Sequence, residues 1–321
     1  MAGIDANLSP HDPFQRYAIF APLTTVLIWS GNAVVTKMAA DVIAPSSIAF
    51  YRWLLALLVM TPFVGPTAWA NRNAMKPLWK KMTLLGFLGM VVYQCLAYVA
   101  AETTTAINMG VILALMPLFS TLLASVLASE KLTVARIMGG LISIAGLLYL
   151  TSRGHLSNLV TGGLHIGDAI MLIAVIANAL YGVLVKRWAI PLPIWQSLFW
   201  QILAATIILI PLWLMGPVSP ITASNLPLIL FAAIPASLLA PLFWVIGITR
   251  LGAARTALTI NVLPVVVALL AWMFLQERLQ GYHYIGGGIA LLGVIVGLRE
   301  WKIGPPRKSE PGPVAWPGEE I

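Results

Sequence analysis

The sequence contains very little charge. Of its 321 residues, 9% are Asp, Glu, Lys or Arg and 60% are hydrophobic, and the mean hydropathy is +0.90. A soluble domain carries roughly 25% charged residues. A chain so poor in charge could not cover its surface in water, so much of it must lie in lipid. The single cysteine, Cys95, excludes an internal disulfide.

The signatures of enzymes and motors are also missing. There is no Walker A string for ATP and no HExxH zinc motif, and the four histidines are too dispersed for a metal site. No nucleophile–base pair can be named. We therefore expect neither an enzyme nor a cofactor. The net charge of +8 is better explained by Lys and Arg kept in cytoplasmic loops than by nucleic-acid binding.

Acidic residues are absent from the middle of the apolar segments. All eleven Asp and Glu fall at segment ends or in loops, although a charge at mid-membrane, costing at least ~2.5–3.5 kcal/mol, is kept where function needs it. This absence argues against a proton-driven exporter of cationic drugs. The one deep basic residue is Arg52, which we expect to snorkel or to pair with a loop carboxylate.

Ten apolar segments remain, each near the ~20 residues that a bilayer requires. We predict an all-α polytopic membrane protein with the segments 17–39, 45–64, 82–101, 106–128, 134–151, 166–187, 192–215, 226–249, 254–275 and 282–299. The polar residues 1–16 form a short N-terminal segment. The Pro- and Gly-rich residues 304–321 are expected to be a disordered tail.

The chain repeats itself at an offset of 147 residues. GVILALMPLFSTLLASVLASE at 110–130 returns as ALTINVLPVVVALLAWMFLQE at 257–277, which pairs Pro117 with Pro264 and Glu130 with Glu277. Three glycines downstream keep the same register. We infer two five-helix repeats, 17–151 and 166–299. Because five is odd, the second repeat must cross the membrane in the opposite sense, which predicts an inverted pair around a central cavity.

The basic residues predict the orientation. With the N-terminus in the cytoplasm, 15 of the 19 basic residues lie in cytoplasmic segments. Both termini should then be cytoplasmic, in a bacterial-type inner membrane.

Neutral polar and aromatic side chains are left to form a substrate site. Trp29 with Asn32 and Asn178 with Tyr181 are spaced i, i+3, and Gln94 with Tyr98 is spaced i, i+4, so each pair shares a helix face. With Trp244, an aromatic side chain on the eighth segment, they are the candidates for the substrate site. The alternatives are helix–helix packing through interhelical hydrogen bonds and an interfacial aromatic belt.

Prolines and glycines predict the mechanics. Pro117 and Pro264 should kink their helices and free the carbonyls of Leu113 and Ile260, which either bind substrate or are satisfied by neighbouring helices; the kinks could also act as gates. Four glycines should let helix backbones pack closely, between halves or between subunits: Gly139, Gly140, Gly286 and Gly287.

These features resemble a known family. WSGNAVVTK in the first segment, FYRWLLALL in the second and the repeated P-x12-E box are similar to the drug/metabolite transporter superfamily of EamA type, and within it to the YddG-type aromatic amino-acid exporters. The resemblance implies a basket-shaped bundle whose central cavity is lined by segments 1, 3, 4, 6, 8 and 9. It also implies that segments 5 and 10 close the far side and that segments 2 and 7 shift during alternating access.

The leading hypothesis is facilitated export of neutral, especially aromatic or large apolar, amino acids through that cavity. A zwitterion carries no net charge and needs no buried counter-ion, because helix dipoles and amides could hold its charged ends. The partners expected are a small amino-acid substrate and the lipid bilayer, with no nucleic acid and with a monomer as the working state. The rivals are a broad metabolite or drug exporter and a non-transporting membrane scaffold.

Overall fold

The structure is a computed structural model that describes residues 18–127, 134–155, 166–251, 256 and 259–298. All regular secondary structure in these ranges is helical, and they contain no strand. The predicted all-α class is therefore confirmed. The N-terminal segment 1–16, the tail 304–321 and Glu130 lie outside the described residues.

The first half of the chain begins with two long helices, α1 and α2. A third stretch, 72–103, runs through short helical pieces and a π-helical segment, Phe87–Val92, which we call the first π segment. The helices of this half are α1 (Phe20–Ala39), α2 (Pro45–Ala70), α3 (Arg72–Met75), α4 (Trp79–Gly86), α5 (Tyr93–Thr103), α6 (Ala106–Leu113), α7 (Met116–Leu127) and α8 (Val134–Thr151).

The second half follows the same plan. Its counterpart to the first π segment is the second π segment, Ala232–Leu239, and a 3-10 turn, Ile260–Val262, precedes α13. The helices of this half are α9 (Ile166–Trp188), α10 (Ile194–Met215), α11 (Leu226–Phe231), α12 (Ala240–Leu251), α13 (Leu263–Leu275) and α14 (Gly281–Leu298).

The outer surface is suited to lipid. Six helical stretches within the described ranges are long and apolar enough to cross a membrane, and shorter apolar helices accompany them. Large apolar side chains such as Phe63 and Met215 are 78% and 87% exposed. Exposing this much apolar surface is unfavourable in water but not in the hydrocarbon core of a bilayer. The chain is thus an integral membrane protein. A count of ten crossings stays a prediction.

One helix pair packs with its backbones in direct contact. We call the contact between α8 and α14 the glycine seam. A Cβ at Gly139 would overlap the backbone of Gly297, and one at Gly286 would lie 2.8 Å from Leu150 N. The helices run antiparallel, since residue 139 meets 293–297 while residue 146 meets 286–290. Ser143 Oγ donates to the carbonyl of Ala290 at 3.0 Å, a residue 147 positions later.

The other predicted packing glycines lie off this seam. Nothing lies within 4 Å of a Cβ built at Gly140, and one at Gly287 would make ordinary contact with the Val111 side chain on α6. Elsewhere α2 packs along α10, α1 packs along α13 and α12, and α9 packs along α5 and α7. These contacts leave the centre of the bundle to the broken and π-helical segments.

Candidate functional site

A cavity of about 260 Å³ lies at the centre of the bundle. It is bordered by α1, α2, both π segments and the helices α5–α7, α9, α10, α12 and α13. Much of the wall is apolar, with the methionines Met90, Met109, Met116 and Met171 prominent. Among the described residues that line it, none carries a carboxylate. The site therefore offers an adaptable apolar surface and no negative charge.

Five of the seven predicted cavity residues line this space: Trp29, Asn32, Gln94, Asn178 and Tyr181. The Trp29 indole N–H donates to the carbonyl of Ala236 at 3.4 Å. The amide of Asn178 reaches the sulfur of Met116 at 3.5 Å, which is a weak acceptor. Asn178 thus has hydrogen-bonding capacity left for a ligand.

The remaining two predicted residues lie in a second layer. Trp244 packs against Trp29, with ring centroids 5.5 Å apart. Tyr98 is 2% exposed, and its hydroxyl lies 3.4 Å from Nη1 of Arg52. Neither borders the cavity, so each would act through the residue it supports.

Both predicted proline positions coincide with interruptions in helices. α6 ends at Leu113 and α7 begins at Met116, directly before Pro117. Pro264 is in the first turn of α13, after the 3-10 turn. Pro117, Leu113 and Ile260 line the cavity. Whether the freed carbonyls bind substrate, and whether these breaks act as gates, stays a prediction.

Arg52 is the residue whose role was predicted wrongly. It does not snorkel and contacts none of the carboxylates in the described ranges: it lines the cavity and is 3% exposed. Its Nη1 donates to Gln94 Oε1 at 2.8 Å and its Nε donates to Ser237 Oγ at 2.7 Å. The guanidinium carbon lies 5.1 Å from the ring centroid of Trp53. Its depth in the second segment is the sequence signal for this position.

Both π segments support this arginine, the first through Trp53 and the second directly. Trp53 donates its indole N–H to the carbonyl of Met90, in the first π segment, at 3.0 Å. Ser237, in the second π segment, accepts from Arg52 and donates to the carbonyl of Ala232 at 2.8 Å. π-helical turns leave the regular hydrogen-bond ladder and occur often at functional sites. Gly89 in one and Pro235 in the other are the sequence features that accompany these turns.

One set of polar contacts joins the ends of several helices, and we call it the polar end cluster. The carboxylate of Glu277 accepts from the backbone N–H groups of Ala106 and Ile107 at 2.8 and 3.1 Å. Asp168 accepts from Thr104 and from Asn108. Lys37 Nζ donates to the carbonyl of Ala101 at 2.6 Å. The cluster ties α1, α5, α6 and α9 to the loop before α14.

Comparison with known proteins agrees with this architecture. The EamA-like transporter family matches the chain twice, at residues 16–152 and 165–299. The uncharacterized transporter YyaM of Bacillus subtilis is 27% identical over 81% of this chain and 86% of its own. The probable terminal-alkyne amino-acid exporter of Streptantibioticus cattleyicolor is 22% identical over 87% of this chain and 92% of its own.

Two further comparisons concern a named protein and a fold. Protein PecM of Dickeya dadantii is 26% identical over 85% of this chain and 88% of its own. A protein crystal structure superimposes with a TM-score of 0.58 at 20% identity, covering 88% of this chain and 98% of that one. At that identity the likeness concerns the fold alone.

Proposed function

The chain belongs to the EamA-like transporter family, and from that premise we propose that it exports neutral amino acids, especially aromatic or large apolar ones. The route is the central cavity, and the movement is facilitated diffusion by alternating access. The membrane is a bacterial-type inner membrane with both chain ends in the cytoplasm.

The observation that carries this proposal is the lining of the cavity. Small-molecule sites measure roughly 300–1,000 Å³ and combine an apolar wall with a few polar groups. A space of about 260 Å³ suits a molecule of amino-acid size. Its aromatic and thioether surfaces fit an apolar side chain, and the amides of Asn32, Gln94 and Asn178 fit polar ends. A scaffold with no transport would leave no such space.

The relatives support export of small organic molecules. One of them carries the description of an amino-acid exporter, which concerns that protein and favours the same class here. A broad exporter of cationic drugs is less compatible with the site, because the described lining residues include Arg52 and no carboxylate. A cation entering this space would meet a like charge.

Alternating access is supported by the internal pairing of contacts. Gly139 contacts Gly293. Their repeat partners, 147 positions away, are Gly286 and Gly146, and these two residues also contact each other. Ser143 and Ala290 exchange with each other. Since the paired helices run antiparallel, the exchange implies a twofold axis perpendicular to them. We infer that the halves are inverted, which is the arrangement of rocking-type transporters.

The test is counterflow of labelled amino acids in liposomes that hold the purified protein, with competition by a panel of metabolites. Phenylalanine should exchange and be inhibited by other large apolar amino acids, but not by quaternary ammonium dyes. The variant Tyr181→Ala should lower the rate, while Tyr284→Ala, at a position 65% exposed on the outer surface, should not. Transport of dyes with no amino-acid exchange would refute the proposal.

Coupling is tested in the same vesicles. No described carboxylate lines the cavity, so an imposed pH step should leave the initial rate unchanged within the error of the assay. A rate that follows the pH gradient would contradict facilitated movement and would direct attention to Asp168, a buried carboxylate in the polar end cluster.

A further inference from the structure

The cavity wall holds a buried positive charge that has no described counter-ion. Four acidic residues lie in the described ranges: Asp41, Glu102, Asp168 and Glu277. None of them contacts Arg52, whose hydrogen bonds within the described ranges go to neutral groups. Asp168 and Glu277 bond within the polar end cluster, and the other two are exposed. A charge taken out of water is retained where something repays its desolvation.

The guanidinium is also held in one orientation. Gln94 and Ser237 fix Nη1 and Nε at 2.8 and 2.7 Å from opposite halves of the chain, and Trp53 lies against one face. Asn32 Oδ1 and the Tyr98 hydroxyl make longer contacts of 3.4 Å with the same Nη1. No described residue accepts from Nη2. A fixed arginine with a vacant donor edge, lining a cavity, matches the planar geometry of a carboxylate.

The ammonium group of an amino acid has no charged partner among the described lining residues. An ammonium group pairs best with a carboxylate, and the described lining has none. Amide oxygens and broken-helix carbonyls could accept its protons, but they supply no full charge. The cavity therefore favours a bound anion strongly through the charge of Arg52, and it favours a bound amine only weakly through neutral acceptors.

We propose that Arg52 is the receptor for the substrate's carboxylate, so that the cavity selects organic monocarboxylates with an apolar or aromatic tail and does not require their amino group. The inference rests on the proposed transport function and narrows it. Neutral amino acids are then one subset of the substrates. The same acids without the amine belong to the class, whereas the matching amines do not.

The first experiment compares matched competitors of labelled phenylalanine in the counterflow assay. 3-Phenylpropionate keeps the ring and carboxylate and lacks the amine; phenethylamine keeps the ring and amine and lacks the carboxylate. 3-Phenylpropionate should compete within about threefold of phenylalanine itself, and phenethylamine should not compete at tenfold higher concentration. Equal competition by the two would overturn the carboxylate receptor while leaving amino-acid export intact.

The second experiment supplies an internal counter-ion. Gln94→Glu places a carboxylate of nearly the same shape beside Nη1, where it should displace the substrate's own. Half-saturating concentrations of phenylalanine and 3-phenylpropionate should rise at least about tenfold, with a melting temperature unchanged or higher. If Arg52 were only a tether between the halves, the stronger pair would leave transport intact. Gln196→Glu is the matched control, because Gln196 also accepts a hydrogen bond, from Asn71, away from the cavity.

A further variant tests the same inference in case the Gln94→Glu protein does not fold. Arg52→Met keeps much of the apolar stem and removes the charge, and should abolish the preference for 3-phenylpropionate over phenethylamine. A purely structural arginine would lower the amount of active protein without changing that ratio, which would overturn the inference. Arg72→Met is its control, since Arg72 also lies over a tryptophan, Trp69, but is exposed.

The outcomes separate the two proposals. Phenylalanine exchange with no carboxylate preference refutes the receptor and keeps the export function. Uptake of labelled 3-phenylpropionate with no exchange of any amino acid refutes amino-acid export and keeps the receptor. Neither compound moving refutes both.

Discussion

The glycine seam and the cavity wall join the two halves of the chain in opposite ways. At the seam, backbones of α8 and α14 touch directly, and a side-chain bond runs there from Ser143 to the backbone carbonyl of Ala290. At the cavity wall, the long side chain of Arg52 reaches across to Ser237 of the other half and is also bonded to Gln94 of its own half. A direct backbone contact cannot change its spacing without being broken, whereas long side chains can re-form their bonds. The seam is suited to be a fixed axis, and the wall is suited to respond to a ligand.

The largest effect should come from filling the seam. Gly139→Val would force a side chain into the backbone of Gly297. Overpacking of this kind lowers the free energy of unfolding by about 3 kcal/mol. We expect loss of folded protein, measured by size-exclusion profile and thermal unfolding in detergent. The neighbouring Gly140→Val is the control, because a Cβ there meets nothing within 4 Å. Equal losses of folded protein for Gly139→Val and Gly140→Val would contradict the idea that the backbone contact at the seam causes the effect.

The next effect should appear in transport and spare stability. A Cβ at Gly89 would lie 2.9 Å from the ring of Tyr181, its neighbour in the cavity wall, and an aromatic ring can turn away where a backbone cannot. Gly89→Ala should reduce counterflow about tenfold by displacing that ring, with a change in unfolding free energy below about 1 kcal/mol.

The control for this prediction is the glycine that follows Tyr181 on the same helix. A Cβ at Gly182 meets nothing within 4 Å, so Gly182→Ala should leave both properties unchanged. The opposite result would be an unstable Gly89→Ala protein that transports at the normal rate per folded molecule. It would contradict the idea that the cavity wall governs transport and the seam governs stability.

These two regions also differ in how well sequence reasoning anticipated them. The all-α class follows from composition, and the glycine repeat at an offset of 147 pointed to the seam before any contact was known. Gly139 and Gly286 lie in the seam, but Gly140 and Gly287 face other surroundings. Adjacent glycines point about 100° apart on a helix, so the sequence alone could not say which of each pair meets the other helix.

Arg52 shows the limit more clearly. Its depth was evident from the sequence, but its partners come from residues 42 and 185 positions away. Periodicity within one helix says nothing about such contacts. Tyr98 illustrates the same limit, because its i, i+4 spacing from Gln94 suggested a cavity position and the structure places it behind the cavity wall, with its hydroxyl 3.4 Å from Nη1 of Arg52. The π segments were not anticipated at all, since an extra residue in a turn leaves no periodic signal.

A moderate effect is expected in the polar end cluster, which lies between the two extremes. Glu277 holds the first two N–H groups of α6, the role of a helix N-cap supplied from the other half of the chain. Glu277→Gln keeps one acceptor and removes the charge, so it should lower the unfolding free energy by about 1 kcal/mol. Faster hydrogen exchange in the first turn of α6 should accompany this. Glu102→Gln, at an exposed position, should do neither; matching effects would show that net charge alone is responsible.

The smallest effect tests the second layer behind the cavity wall. Tyr98→Phe removes a hydroxyl that lies 3.4 Å from Nη1 of Arg52, a distance at the long limit for a hydrogen bond. Because Gln94 and Ser237 still hold the guanidinium, the half-saturating concentration for phenylalanine should rise only about threefold, equivalent to less than 1 kcal/mol. Tyr51→Phe removes a shorter hydroxyl bond, 2.9 Å to the carbonyl of Ser219 outside the cavity, and should affect stability more and transport less. If Tyr98→Phe instead abolished transport, the arginine would depend on its second layer, and the cavity wall would be as rigid as the seam.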